Sequence, residues 1–211
     1  MHGRPALART AFAVDRETGA PVESIAGGRH AWRFRPHFHA GDEVVRVLAG
    51  RARLRLPEGC RDVAAGDTLV VPAGVVHRFE PIDRQGWAFV SHFVPAPRAS
   101  ARGIATLATR ATALLAERPS LRTNVAAIAQ GCAVSEGHLS RTFRRETGSN
   151  LHNFHVLLAL QQAKALLRRQ ASVVEAALVA GFYDQAHLNR EFVRTYGMTP
   201  AAFRDGWAAA A

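Results

Sequence analysis

The sequence predicts an α+β chain of two domains, the first all-β and the second all-α. Three observations carry that prediction. Between about residues 31 and 94 the chain alternates with a period of two, as in Arg51-Ala52-Arg53-Leu54-Arg55-Leu56, the pattern of a strand with one wet and one buried face. Beyond about residue 103 the period becomes helical. The helical part then repeats itself, the segment from Ser135 recurring 49 residues on, from Asp184. With 211 residues, 48% of them hydrophobic and 21% charged, the chain can bury a core in both parts. That balance excludes disorder, a collagen repeat and a disulfide scaffold.

In the β part, Trp32 and Phe34 alternate with Arg33 and Arg35. Turns are expected at Ala49-Gly50, Pro57-Glu58-Gly59, Ala65-Gly66-Asp67 and Pro72-Ala73-Gly74, since Gly, Pro and Asp punctuate strands. Short strands so closely spaced predict a small barrel or sandwich over residues 1–96. A Pro- and Ala-rich stretch follows, and 97–103 reads as a linker to a helical domain over 104–211. There a first helix spans about 103–117 and ends at Arg118-Pro119. Thr123 is placed to cap a helix over 124–132, and Ser135 one that stops at Gly148. A longer helix runs over about 150–169. Ser172-Val-Val-Glu175 forms a capping box, Asp184 caps the next helix, which stops at Gly197, and Thr199-Pro200 opens the last.

The two copies of the repeat share six of fourteen positions: His138/His187, Leu139/Leu188, Arg141/Arg190, Phe143/Phe192, Arg145/Arg194 and Gly148/Gly197. Leu139 and Phe143 are four apart and define a buried stripe. At about 100° per residue, Arg141 points nearly opposite that stripe, flanked by Gly137, Ser140 and Arg144. Ala186, Asn189 and Arg190 are presented in the same way. Each copy follows a short helix and a tight turn, so the unit is a helix-turn-helix used twice. A connecting helix of about 20 residues holds the units ~30 Å apart, near the ~34 Å between successive major grooves on one duplex face.

Charge agrees with a polyanion partner. Lys+Arg 27 against Asp+Glu 17 leaves +10. Residues 1–100 carry 14 Arg and 10 acids, a surplus of +4, and residues 101–211 carry 13 cations and 7 acids, a surplus of +6. A basic helical half suits nucleic acid. Lys164 is the one lysine, so no GxxxxGK[ST] phosphate loop and no SxxK hydrolase motif exists,. Cys60 and Cys132 form no ligand spacing and suggest a reducing compartment. Apolar runs of about five residues span no bilayer, and Met1-His-Gly-Arg-Pro5 has no secretory character. A cytoplasmic protein without membrane partners is expected.

The stretch Ala176-Ala-Leu-Val-Ala-Gly-Phe-Tyr-Asp-Gln-Ala-His-Leu-Asn-Arg-Glu-Phe192, followed by Tyr196-Gly-Met-Thr-Pro200 and Phe203-Arg204, resembles the two-motif DNA-binding domain of the AraC family of bacterial transcriptional regulators. The resemblance covers residues about 104–206. It implies base-edge contacts from Gly137, Ser140 and Arg141 in the first reading head and from Ala186, His187, Asn189 and Arg190 in the second. Glu136, Gln185 and Arg194 complete the candidate DNA-binding surface, with Arg144 and Arg145 on phosphates. The sequence also departs from the family. Ala133 stands where the first turn usually has glycine, with Gly131 before it, and Ala159 replaces a usual arginine. Gly137 offers little side chain, so the first head is expected to read less sequence than the second.

Residues 37–50 read His37-Phe-His39-Ala-Gly-Asp-Glu43 and, six residues on, Gly50; residues 66–77 read Gly66, Pro72-Ala-Gly74 and His77. Both stretches resemble the two motifs of cupins, with Pro81 in place of the closing asparagine. The expected β domain is therefore a cupin-like double-stranded β-helix barrel. His37 and His39 share a strand face, and Glu43 and His77 would complete a set of three histidines and one carboxylate. Such a nitrogen-and-oxygen site suits Zn, Ni, Mn or Fe. Trp32, Phe34, Leu54, Leu56 and either Phe89 or His92 are candidates for the effector pocket by parity, and Arg46 or Arg78, if inward, would favour an anionic effector. Two uses compete: a metal-dependent oxygenase or isomerase with a helical appendage, and a sensor of a small molecule or metal fused to a DNA reader. The fused reader favours the sensor, hence no enzyme. The resemblance further implies promoter DNA, a small-molecule effector and RNA polymerase as partners, and a homodimer.

Overall fold

The computed structural model describes residues 9–14, 21–27, 35–84, 86–94, 106–118 and 120–208. Pro119, the expected linker 97–103, and the pocket candidates Trp32 and Phe34 lie outside the described residues. These residues form an antiparallel β sheet followed by seven α-helices. They fall into two compact units, one holding the residues up to 94 together with 192–208, the other holding 106–191.

The β unit contains β1 (Arg9–Val14), β2 (Pro21–Gly27), β3 (Asp42–Leu56), β4 (Gly59–Ala64), β5 (Thr68–Val71), β6 (Arg78–Pro81) and β7 (Trp87–Val94). The sheet order is β1-β2-β7-β3-β4, with β5 and β6 also pairing β3. At 15 residues, β3 is the spine of the unit. Its first half pairs β5 and β7, its second half β4 and β6. Val45, Val47, Ala52 and Leu54 on β3 are buried, and Phe79, Trp87 and Phe89 face them as a run of stacked and tilted rings at 5.0 and 4.4 Å. The wet face of the second half is an ion-pair ladder: Arg51 on Asp83, Arg53 on Asp62, Arg55 on Glu80.

Three of the four expected turns separate strands: Gly59, Gly66 and Gly74 each take a positive φ there. Ala49-Gly50 does not. The strand continues through it, and the register against β7 slips between Val47 and Ala49. Gly50 has φ +71 and packs so closely that a Cβ would strike the Gly86 carbonyl. The glycine therefore marks a bulge where β3 bends from one set of partners to the other.

The helices are α1 (Leu107–Ala116), α2 (Val125–Gly131), α3 (Glu136–Thr147), α4 (Leu151–Arg168), α5 (Val173–Val179), α6 (Gln185–Tyr196) and α7 (Pro200–Ala208). The caps follow the sequence: Ser135 accepts from the His138 N–H, Ser172 from Glu175, and Asp184 from His187. Gly148 and Gly197 end α3 and α6 at φ 70 and 75, as expected of left-handed C-terminal residues. The cap of α2 is a correction. Asn124, not Thr123, accepts from the Ala127 N–H, while the Thr123 hydroxyl lies 3.0 Å from Nδ1 of buried His155. Long α4 runs through the middle of its unit, with Leu157, Leu160, Ala163 and Leu167 fully enclosed. No helix among the described residues is long and apolar enough to cross a membrane.

Candidate functional site

Two constellations stand out, one in each unit. In the β unit, His37 and His77 form an isolated antiparallel bridge, exchanging backbone hydrogen bonds of 2.9 and 2.8 Å. Such a pair places its two side chains on the same face. The His39 carbonyl accepts from the Gly74 N–H at 2.9 Å, and Asp42 Oδ1 accepts from the Ala73 N–H at 2.8 Å. The loop before His77 is thereby tied to the segment carrying the other two histidines. Glu43 follows at the start of β3, with its side chain inward.

His37, His39, Glu43 and His77 are all buried, between 2% and 5% exposed. One ring nitrogen of each histidine lies within 4.8 Å of the others. Glu43 Oε2 stands 2.8 Å from His77 Nε2 and 3.5 Å from His39 Nε2. Burial alone would push the Glu43 carboxyl up; the His77 ring beside it and the charge of His37 outweigh that and hold it below the ordinary carboxylate range. The tautomers are fixed from behind. His37 Nδ1–H donates to the Arg35 carbonyl at 2.8 Å and His77 Nδ1–H to the Val75 carbonyl at 2.9 Å. Nε2 is therefore the nitrogen of each of these two rings that is left to face the cluster. This is the outer hydrogen bond by which proteins orient a metal-binding imidazole.

That arrangement tests whether a cation belongs here. Glu43 Oε2 and His77 Nε2 are buried and only 2.8 Å apart. A carboxylate oxygen that close to an imidazole nitrogen is held there by positive charge, either a proton on the ring or a cation between them. A divalent ion held by three imidazoles and a carboxylate fits the donor set.

The cavity at this centre has a volume of about 20 Å³. Phe79, Phe89, Ser91 and Phe93 line it beside the histidines, as do Thr195 and Tyr196 from the last turn of α6. His39 packs on Phe93 at 4.2 Å between ring centres.

In the helical unit, α3 and the first part of α6 each bury one stripe and expose the opposite face. Leu139, Phe143, Leu188 and Phe192 are fully enclosed. Glu136, Gly137, Ser140, Arg141, Arg144 and Arg145 are exposed on α3, as are Gln185, Ala186, Asn189, Arg190 and Arg194 on α6. Gly137 leaves room for the Arg141 guanidinium, which passes 3.3 Å from where a Cβ would stand.

A family model described as a helix-turn-helix domain matches residues 128–206, and one described as an AraC-like ligand binding domain matches residues 19–95. The two parts of the chain are thus similar to the DNA-binding and ligand-binding domains of AraC-type regulators. The regulator GlxA of Rhizobium meliloti is 35% identical over 89 residues, which are 42% of this chain and 26% of that protein. MtrA of Neisseria gonorrhoeae is 29% identical over 89 residues, 42% of this chain and 30% of that protein. The chain thus matches between a quarter and a third of the length of these relatives. PqrA of Proteus vulgaris, a probable transcription factor, is 34% identical over 79 residues, 37% of this chain and 65% of that protein. Among solved structures, ToxT from Vibrio cholerae O395 shares the fold, with a TM-score of 0.61 at 7% identity over 90% of this chain and 99% of that one.

Three sequence expectations change with the structure in view. His92 is exposed and does not line the cavity, because β7 turns Trp87, Phe89, Ser91 and Phe93 inward and so His92 outward. Leu54 is buried core rather than cavity wall, since it lies on the second half of β3, beyond the bend. His187 is half-buried with its ring edge on Phe182 at 5.2 Å, and its Nδ1 accepts from the Tyr183 N–H; one side of the ring is engaged in the turn rather than in the exposed row. Phe89 does line the cavity. Arg46 is exposed and Arg78 pairs with Glu80 at 2.7 Å, so neither places a cation in the cavity. Phe79, Ser91, Phe93 and Thr195 were not singled out by sequence, and Tyr196 only within the AraC-type motif; period-two reasoning from Phe89 would have found Ser91 and Phe93.

Proposed function

We propose that this chain is a sequence-specific DNA-binding transcriptional regulator whose β unit senses a small molecule or a metal ion. The observation that supports it most is the matched pair Arg141 and Arg190. Each is exposed on a capped helix, opposite a fully enclosed Leu and Phe four residues apart. A solvated bundle has no need to repeat that surface, whereas a duplex offers two grooves to fill. In this reading Arg190, Asn189 and Ala186 contact base edges in the second head. Arg141, Ser140 and Gly137 do so in the first, and Arg144, Arg145 and Arg194 hold phosphates. Double-stranded promoter DNA in the cytoplasm is the partner, with a second copy of the chain and RNA polymerase joining there. The matched relatives are named as transcription regulators, which supports regulation over cupin-type catalysis. One ToxT structure holds (E)-4-(8-methylnaphthalen-1-yl)but-3-enoic acid, so an organic acid is one class of effector to weigh against an ion.

The experiment is selection of a duplex from a random pool by the whole chain, followed by Arg190→Ala. Loss of about 1–3 kcal/mol of discrimination at one or two base positions, at unchanged folding, is expected. Equal affinity for selected and random duplexes would leave a nonspecific binder, and unchanged selectivity in Arg190→Ala would remove the second head from the reading.

A further inference from the structure

Resting on that reading, we infer that the species sensed is a divalent transition-metal ion, and that α6 reads its presence through the Thr195 hydroxyl. Size suits an ion. The cavity of about 20 Å³ holds little more than one water, which needs ~10–15 Å³. Donor chemistry agrees. Three imidazoles and a carboxylate converge there, two of the rings fixed from behind so that Nε2 faces the cluster. The rest of the wall holds aromatic rings and the buried hydroxyls of Ser91 and Thr195; Ser91 lies beside the Glu43 carboxylate, whereas Thr195 Oγ1 has no hydrogen-bond partner among the described residues. Buried hydroxyls are ordinarily satisfied. An ion or the water that accompanies it supplies a small polar partner for Thr195.

Thr195 is what makes this a sensor and not only a structural site. Ser91 belongs to the sheet that carries the centre, but Thr195 is in the last turn of α6, 1% exposed. The same helix begins at Gln185 and bears Asn189 and Arg190 on its exposed face. Thr195 stands only about 7.5 Å of helix rise from Arg190 at 1.5 Å per residue. Whatever fixes the last turn of one short helix also fixes the row that would face DNA, without any relay through other elements.

The test uses the full chain with Co²⁺ as the probe, its visible absorption reporting coordination, and hydrogen–deuterium exchange over residues 185–196 reporting α6. Co²⁺ should slow exchange in α6 by about tenfold, the effect of one hydrogen bond gained. Thr195→Val should bind Co²⁺ and lose most of that slowing, and Thr195→Ser should retain it. Equal slowing in Thr195→Val, or bound Co²⁺ with unchanged exchange in the natural chain, would overturn the role of Thr195. An absence of Co²⁺ absorption would overturn the ion itself. Either failure leaves the selected-duplex result with Arg190→Ala intact, so it is distinguishable from failure of the DNA-binding reading.

Discussion

Ala133 is the first residue past the C-cap of α2 and takes φ +57. Gly181 occupies the corresponding place after α5, at φ +85. Both turns close the same way: the Val134 N–H donates to the Ala129 carbonyl and the Phe182 N–H to the Ala177 carbonyl, at 3.1 and 2.9 Å. The two heads thus need a left-handed residue at one place, and only the second has the residue suited to it. An L-residue there costs about 1–2 kcal/mol, and glycine gives back about 0.4–1 kcal/mol through the freedom of the unfolded chain. Ala133→Gly should therefore stabilise by about 0.5–1 kcal/mol and Gly181→Ala should destabilise by a similar amount. Urea denaturation followed by far-UV circular dichroism is the right assay. The tryptophans are Trp32, Trp87 and Trp207, all outside 106–191, so tryptophan fluorescence reports on the other unit. With a slope of about 1–3 kcal/mol/M, the two midpoints should move apart by several tenths of a molar unit or more. A midpoint for Ala133→Gly at or below that of the natural chain would refute the left-handed turn as a source of strain.

Two further outcomes are expected. Arg144→Ala should weaken binding almost equally to selected and unrelated duplexes and lower the salt slope by about 1, because a phosphate contact carries no sequence information; loss confined to one base position would instead make it a base reader. His155 is 2% exposed, and burial, the largest cause, pushes its imidazole below its ordinary value; the charges of His152 and Arg118 act the same way, against the hydrogen bond its ring donates to the Arg118 carbonyl. The unfolded chain then binds the proton first as pH falls, so stability of the helical unit should be full above about pH 6.5 and decline below it. Urea midpoints across that range should show a shallower decline in His155→Gln, and identical slopes would place the titration elsewhere.

What the sequence made legible follows from which interactions are local. Caps and stops at Ser135, Gly148, Ser172, Asp184 and Gly197 depend on residues within a turn of one another, so they could be read directly. The exposed row around Arg190 follows from helical period and a buried Leu–Phe pair. The β unit was legible only as far as parity reaches. His37 and His39 share a face by alternation, but that His77 is bridged to His37 is long-range pairing, which no local pattern encodes. The choice between Phe89 and His92 was one of parity without a fixed origin; the pairing of β7 with β3 supplies the origin and sends Ser91 inward. Gly50 shows the same limit, since glycine suits a turn and a bulge equally, and only the slip against β7 distinguishes them. Thr195 lay furthest from reach. In the repeat it follows Arg194 on a helix whose pattern is explained by its buried Leu–Phe stripe, and its buried hydroxyl gains meaning only beside Glu43 and the histidines. A residue made functional by what stands across a cavity leaves no trace in the spacing of its neighbours. The hydroxyl at 195 and the carboxylate at 43 are for that reason the pair whose joint substitution says most: if the two act on one ion, the effects of removing each on α6 exchange with Co²⁺ present will not add, and the double variant will resemble Glu43→Gln alone.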